Sequence, residues 1–270
     1  MTVLLLALAV TLAALAPAGA QTAAPQTANR LYVMDCGHNS AKDQSIWSPG
    51  INVGKPIEQA DTCSLIKHGS QWLLWDTGYP DAITDLPVDT PVGHATRAKT
   101  LMGQLAEIGV KPGDITFVAA SHTHPDHIGN VDRFPASLLL IQKADFDWAF
   151  APGKRPLFKK DRPLKLIEGD YDVFGDGSAT LLFTPGHTPG HQSLLVHLAK
   201  SGWILVAGDA AHFKDNWDND RVPSINTSVE QTHASHARLA KVLAEKNAQL
   251  WINHDLPTFE NLKHSPQFYD

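Results

Sequence analysis

The run Ser121-His122-Thr123-His124-Pro125-Asp126-His127-Ile128-Gly129 places four candidate metal ligands within six consecutive residues. It follows the aliphatic stretch 115–119, whose composition predicts a strand. If the backbone stays extended through His124, strand alternation points His122 and His124 the same way. A turn into a helix after Pro125 then aims Asp126 and His127 at a neighbouring second centre. Imidazole and carboxylate together suit zinc or a similar divalent ion. A lone histidine is usually structural, but this spacing between a strand and a glycine predicts a metal site.

Outward from that run, short aliphatic or β-branched segments recur at 31–34, 64–66, 72–75, 138–141, 179–183, 193–197 and 203–206, each bounded by Gly, Pro, Asp or Asn. Helical patterns lie between them. Thr100 to Ile108 sets Leu101, Leu105 and Ile108 on one face and stops at Gly109. A second helix starts near Ser228, with Gln231 in the capping-box position, and buries Leu239, Val242 and Leu243 before Asn247. Strands and helices alternating in blocks predict a layered α/β domain over residues 30–270. Residues 209–226 read as a long functional loop, with 215–221 as its solvated part.

The full chain has 270 residues, 43% of them hydrophobic, which excludes a disordered polymer and allows a sizeable core. Its net charge of −6 argues against a nucleic-acid partner. Residues 1–20 are uncharged and mostly apolar and end in Ala18-Gly19-Ala20, which reads as a secretory signal cut before Gln21. The rival reading is an uncleaved anchor, but the apolar run 3–16 is shorter than the roughly 20 residues a bilayer span needs. A polar leader, 21–29, follows, and the expected product is periplasmic or secreted with no membrane association after cleavage. Export permits a bond between Cys36 and Cys63; two buried free thiols are the alternative.

The histidine-rich run resembles the His-x-His-x-Asp-His motif of the metallo-β-lactamase-fold superfamily, and the later pieces fall in that superfamily's order. They are Asp76-Thr77-Gly78, Thr184-Pro185-Gly186-His187, Gly208-Asp209 and Asn253-His254-Asp255, so the likeness spans most of the chain after the leader. The resemblance implies a four-layer αββα sandwich with two metal ions, zinc by expectation, at the edge between its sheets. It implies that His122, His124 and His187 hold one ion, that Asp126, His127 and His254 hold the other, and that Asp209 bridges them together with a hydroxide. Asp76 would orient a ligand imidazole from behind.

Narrower stretches are similar to the N-acyl-homoserine lactonases: Leu166-Ile167-Glu168-Gly169-Asp170-Tyr171, Thr184 to Leu194, and His254-Asp255. This implies a hydrolase that opens the lactone ring of a small-molecule signal. A metallo-β-lactamase or another ester or thioester hydrolase on the same scaffold is the alternative. A non-catalytic metal protein is disfavoured because all seven ligand positions are filled, and a serine hydrolase because no Gly-x-Ser-x-Gly is present. Lactonases of this kind often carry a Tyr three residues beyond the bridging Asp, and here His212 stands there. Its imidazole either keeps an auxiliary acid–base role beside Asp126 or loses it. Relatives of this kind often form homodimers.

Trp47, Phe213 and Trp217 are candidates for an acyl pocket, with ordinary core packing as the other reading. His38, His68, His94, His197, His233 and His264 read as structural or surface residues, and His191 as packing support for His187. His233 and His236 lie three apart on the C-terminal helix, and their spacing reads as a solvated or partly packed face in preference to a third metal site.

Overall fold

The computed structural model describes residues 26–270; the expected signal segment 1–20 and residues 21–25 lie outside it. Among the described residues, thirteen strands form two sheets. The larger contains β1 (Arg30–Ala41), β2 (Ile57–His68), β3 (Gln71–Trp75), β4 (Val88–Asp89), β5 (Gly93–Thr96), β6 (Phe117–Ala119), β7 (Leu138–Gln142) and β8 (Leu164–Ile167), in the order β4-β5-β1-β2-β3-β6-β7-β8. The smaller holds β9 (Tyr171–Asp172), β10 (Ala179–Phe183), β11 (Gln192–Leu198), β12 (Gly202–Val206) and β13 (Gln249–Trp251), in the order β13-β12-β11-β10-β9. The helices are α1 (Leu101–Glu107), α2 (Pro125–Ile128), α3 (Lys143–Ala149), α4 (Lys214–Asp218), α5 (Val229–Lys246) and α6 (Leu256–Glu260).

Alternation along β1 explains the layering. Leu31 and Val33 pack with Ile66, Leu73, Trp75, Leu181, Leu194 and Ile204 in the core between the sheets. Tyr32 and Met34 point the other way, into a cluster with Leu101 and Leu105 of α1 and Phe146 of α3. On the far side Leu182, Leu195 and Leu205 pack against Leu239 of α5. The result is helix, sheet, sheet, helix, the four-layer sandwich expected.

Local signals behave as read for α1 and α5. Thr100 Oγ1 accepts from Gly103 N, Ser228 Oγ accepts from Gln231 N, and α5 ends at Asn247 in the left-handed region. Two expectations are corrected. Residues 209–226 are not a continuous loop, because 214–218 coil into α4 and bury Asn216, which bonds Ser48 Oγ and Trp47 O. The leader also ends earlier than 29, because Ala28 is buried and its N–H donates to His197 O.

Cys36 and Cys63 form a disulfide, with Cα atoms 5.8 Å apart, joining β1 to β2 within the core. No helix among the described residues is long and apolar enough to cross a membrane.

Candidate metal centre

The strands β3, β6, β10, β12 and β13 end at one rim, and the loops leaving them supply the polar cluster. After β6 the chain bends at Ser121 and Thr123, His124 itself has extended dihedrals (φ −70°, ψ 154°), and Pro125 opens α2, so Asp126 and His127 project from a helical turn. Gly186 places His187: its φ is +137°, and a side chain there would run into Thr232 N and Oγ1, both at 2.4 Å. Asp209 follows β12 in a single tight turn, and His254 follows β13.

Two donor sets result. His122 Nε2 lies 2.8 Å and His187 Nε2 3.0 Å from His124 Nδ1, while Asp209 Oδ2 is 3.3 Å from His187 Nε2 and 3.8 Å from His122 Nε2. Asp209 Oδ1 is 3.3 Å from His127 Nε2 and 3.2 Å from His254 Nε2, with Asp126 Oδ2 4.0 and 3.9 Å from the same two nitrogens. Asp209 therefore divides its two oxygens between the sets. All seven side chains that the sequence reading nominated as ligands meet here.

The residues fit a pair of divalent ions. Three imidazole nitrogens face one another with too few protons to satisfy them all, a geometry that a cation resolves. His127 Nε2 and Asp209 Oδ1 are buried without a well-aligned hydrogen-bond partner despite their proximity, and an orphaned buried charge is costly unless something pairs with it.

The opposite nitrogens are held from behind. His127 Nδ1–H donates to Asp76 Oδ2 (2.9 Å), His254 Nδ1–H to Ala60 O (2.8 Å) and His187 Nδ1–H to Asn226 Oδ1 (2.9 Å); Ser121 Oγ lies 3.0 Å from His122 Nδ1. Such partners fix tautomer and ring orientation. Asp76, fully buried and in the left-handed region (φ 58°), also accepts from Ser121 N, so it ties the ligand run to the end of β3. An Asp76→Ala protein is expected to bind divalent metal about 10–100-fold more weakly while keeping its far-UV spectrum, as a metal titration will read. Unchanged affinity removes Asp76 from the site.

Burial works against charge on His254 and His127, but the carboxylates of Asp209 and Asp126, with Asp76 at His127, outweigh it: His254 rises to about 9 and His127 well above its ordinary value. Burial chiefly pushes His122, His124 and His187 down, leaving them neutral and ready to ligate. Burial alone would raise Asp209, yet His254, His127, His212 and His122 together hold it well below the carboxylate range.

Two histidines that are not ligands touch Asp209. His191 Nε2 accepts from Asp209 N (2.9 Å) and its Nδ1–H donates to Thr184 O (3.0 Å), so it anchors the turn that presents the shared carboxylate, beyond the packing role expected. His212 Nε2 is 3.0 Å from Asp209 Oδ2, while its Nδ1 is buried without a partner. Asn226 was not foreseen, because an asparagine in a polar segment carries no spacing signal.

A cavity of about 530 Å³ opens above the donor sets, with Asp126, Asp209, His212 and His254 on its floor and Trp47, Tyr79, Val92 and Ile225 among its walls. Of the three aromatic candidates, Trp47 lines it. Phe213 packs behind Trp47 against Ala41 and is not part of the wall. Trp217 is turned away altogether, against α5 with its ring 5.4 Å from His236, because α4 directs it to the outer face of the smaller sheet.

The comparisons with known proteins agree with this architecture. The family described as "Metallo-beta-lactamase superfamily" matches residues 59–247. The chain belongs to that superfamily. An N-acyl homoserine lactonase, AttM, of Azorhizobium caulinodans is 35% identical over 181 residues, spanning 63% of this chain and 69% of the relative. AttM of Rhizobium johnstonii is 34% identical over 264 residues, 89% of this chain and 98% of the relative, which places the chain within the lactonase branch. Among solved structures, an N-acyl homoserine lactone hydrolase with the product N-hexanoyl-L-homoserine at its catalytic metal center superposes with a TM-score of 0.80 at 26% identity, covering 90% of this chain and all of that one.

Proposed function

We propose that this protein hydrolyses the lactone ring of N-acyl-homoserine lactones at a dizinc centre outside the cytoplasm. The observation that carries the reading is the division of Asp209 between two His-rich donor sets on the floor of a half-apolar cavity. Imidazole and carboxylate donors favour zinc among the ions such a site accepts. When bound, a pair of divalent ions supplies a nucleophile from water at neutral pH and polarises the ester carbonyl.

The chain's own residues do the rest. Asp209 fixes the spacing of the two sets, and His191 and His212 fix Asp209. His212 holds a proton on Nε2 against Asp209 Oδ2, so it positions that carboxylate. With Nε2 occupied and Nδ1 buried, the geometry gives it no free donor for a substrate carbonyl. Asp126, its side chain 23% exposed on the cavity floor, is the carboxylate placed to take the proton given up by the attacking water and return it to the ring oxygen as the C–O bond breaks. Trp47 and Val92 offer an apolar wall to the acyl chain, where each buried methylene contributes about 0.8 kcal/mol. KM should therefore fall by up to about fourfold per added methylene over short chains. Trp47→Ala should flatten that series, and a series equally steep in the variant places the acyl chain elsewhere.

Export is supported by the uncharged apolar segment 1–20 ending in Ala18-Gly19-Ala20 and by the disulfide between Cys36 and Cys63. Mass spectrometry of the cell-envelope fraction should find a mature chain beginning at Gln21. The function is tested by proton release from purified, metal-analysed protein given homoserine lactones of short and long acyl chain and a cephalosporin. Fast lactone opening with negligible β-lactam turnover is expected, and the reverse selects the β-lactamase alternative.

A further inference from the structure

A second histidine–aspartate cluster lies on the outer face, away from the cavity. We propose that Asp220, His233 and His236 form a separate binding site for a divalent transition-metal ion. Asp220 Oδ1 is 2.6 Å from His236 Nδ1, and Asp220 Oδ2 is 2.8 Å from His233 Nδ1. The three donor atoms fall within 4.8 Å of one another. His233 and His236 reach the same side of α5 because they are three residues apart, and the loop after α4 brings Asp220 between them.

The tautomer of His236 points to a cation. Its Nε2 lies 2.5 Å from Ala210 O, and a nitrogen that close to a carbonyl oxygen must carry the proton. A neutral His236 then presents the bare lone pair of Nδ1 to the carboxylate of Asp220 at 2.6 Å, two acceptors face to face. Only a second proton or a metal ion between them makes that contact favourable. An imidazole whose other N–H donates to a backbone carbonyl is also the usual arrangement of a ligating histidine. It repeats what His254 does with Ala60 O at the main centre.

Access and charge agree. The cluster lines its own depression of about 260 Å³ together with Trp217, Ala237 and Ala240. His236 is buried beneath, while the side chains of Asp220 and His233 are 59% and 44% exposed and can close over an entering ion. Among the described residues no lysine or arginine pairs with Asp220; the nearby Arg221 is taken by Asp215. Two imidazoles and one carboxylate with the remaining positions open to water suit Zn²⁺, Ni²⁺ or Cu²⁺ and disfavour Ca²⁺ or Mg²⁺.

The test compares the metal-loaded wild type with His233→Ala and Asp220→Asn, each equilibrated with Zn²⁺ alone and counted for bound metal after gel filtration. Wild type should hold one equivalent more than either variant, and the variants should need at least about tenfold more Zn²⁺ to take it up. Added Zn²⁺ should raise the melting temperature of wild type and not of His233→Ala, whose truncation at a half-exposed position leaves the core intact. Equal metal counts in the three proteins, or an equal thermal response, overturn the proposal. Neither readout depends on lactone turnover, so a failed lactonase reading leaves this one standing, and the converse holds too.

Discussion

An Asp209→Asn protein is expected to fold, to lose most of its bound metal, and to drop at least about 10³-fold in kcat/KM on its lactone substrate. Loss of a single preorganised oxyanion donor costs about 10²–10³-fold, and Asp209 is shared by both donor sets, so its loss reaches both. The amide keeps the shape of the carboxylate and can still accept at one oxygen, but it cannot offer two anionic oxygens to two cations. Its NH₂ would instead face either His187 Nε2 and His122 Nε2, or His127 Nε2 and His254 Nε2. His124→Ala and Asp126→Ala should behave alike, each removing a donor from one set. Near-normal turnover with a full metal complement in any of the three would sink the catalytic assignment.

The same carboxylate gives the metal-free protein a measurable titration. Because His254 is raised to about 9, and His127 above its ordinary value, both hold protons near neutrality when no metal is bound. Loading metal near pH 7.5 should release those protons. The sign follows from linkage: a raised imidazole stabilises the metal-free fold fully below about 6.5, and that contribution fades as pH climbs through about 9. Asp209→Asn removes the largest opposing charge at His254 and should shrink the release.

Replacing Cys36 and Cys63 together by alanine should cost about 3–4 kcal/mol, because the bond closes a loop of sequence separation 27. For a domain of this size that is a fall of roughly 6–15 °C in melting temperature. Both side chains lie in the core beside Met34, Leu65 and Leu74, so the smaller replacements add a packing loss in the same direction. Cys36 also supports the Asp76 turn: its carbonyl accepts from Tyr79 N, and a side chain at Gly78 would collide with its Cβ at 2.4 Å. Alanine keeps both that carbonyl and that Cβ, so metal affinity should change little while stability falls. A melting temperature within about 2 °C of wild type, or two thiols titrating in the unreduced denatured wild type, contradicts this.

The donor run 121–129 was legible because its information is local. A strand that ends at Ala119 and a proline that opens a helical turn suffice to separate His122 and His124 from Asp126 and His127, although the segment between bends at Ser121 and Thr123. His187, Asp209 and His254 carry no such signal; they were found through the order of motifs that a related family shares. Where neither source applied, the reading failed. The turn of helix at 214–218 was missed because its stability comes from Asn216 reaching Ser48 and Trp47 across 168 and 169 residues. Trp217 was misplaced with it, since a tryptophan in a polar segment does not say which way its element will face.

Taken alone, the sequence determined the layered α/β architecture, since alternating apolar residues in β1 and one-sided faces on α1 and α5 have few ways to be buried. It also determined which chemical groups were available for metal binding. Only the tertiary structure decided how they meet: that Asp209 gives one oxygen to each set, that Cys36 and Cys63 are bonded, and that Asp220 lies between His233 and His236. Each of these depends on strand register and on where loops from distant segments return. A shift of one residue reverses a strand's faces, and no local pattern of side chains encodes where two such segments will converge.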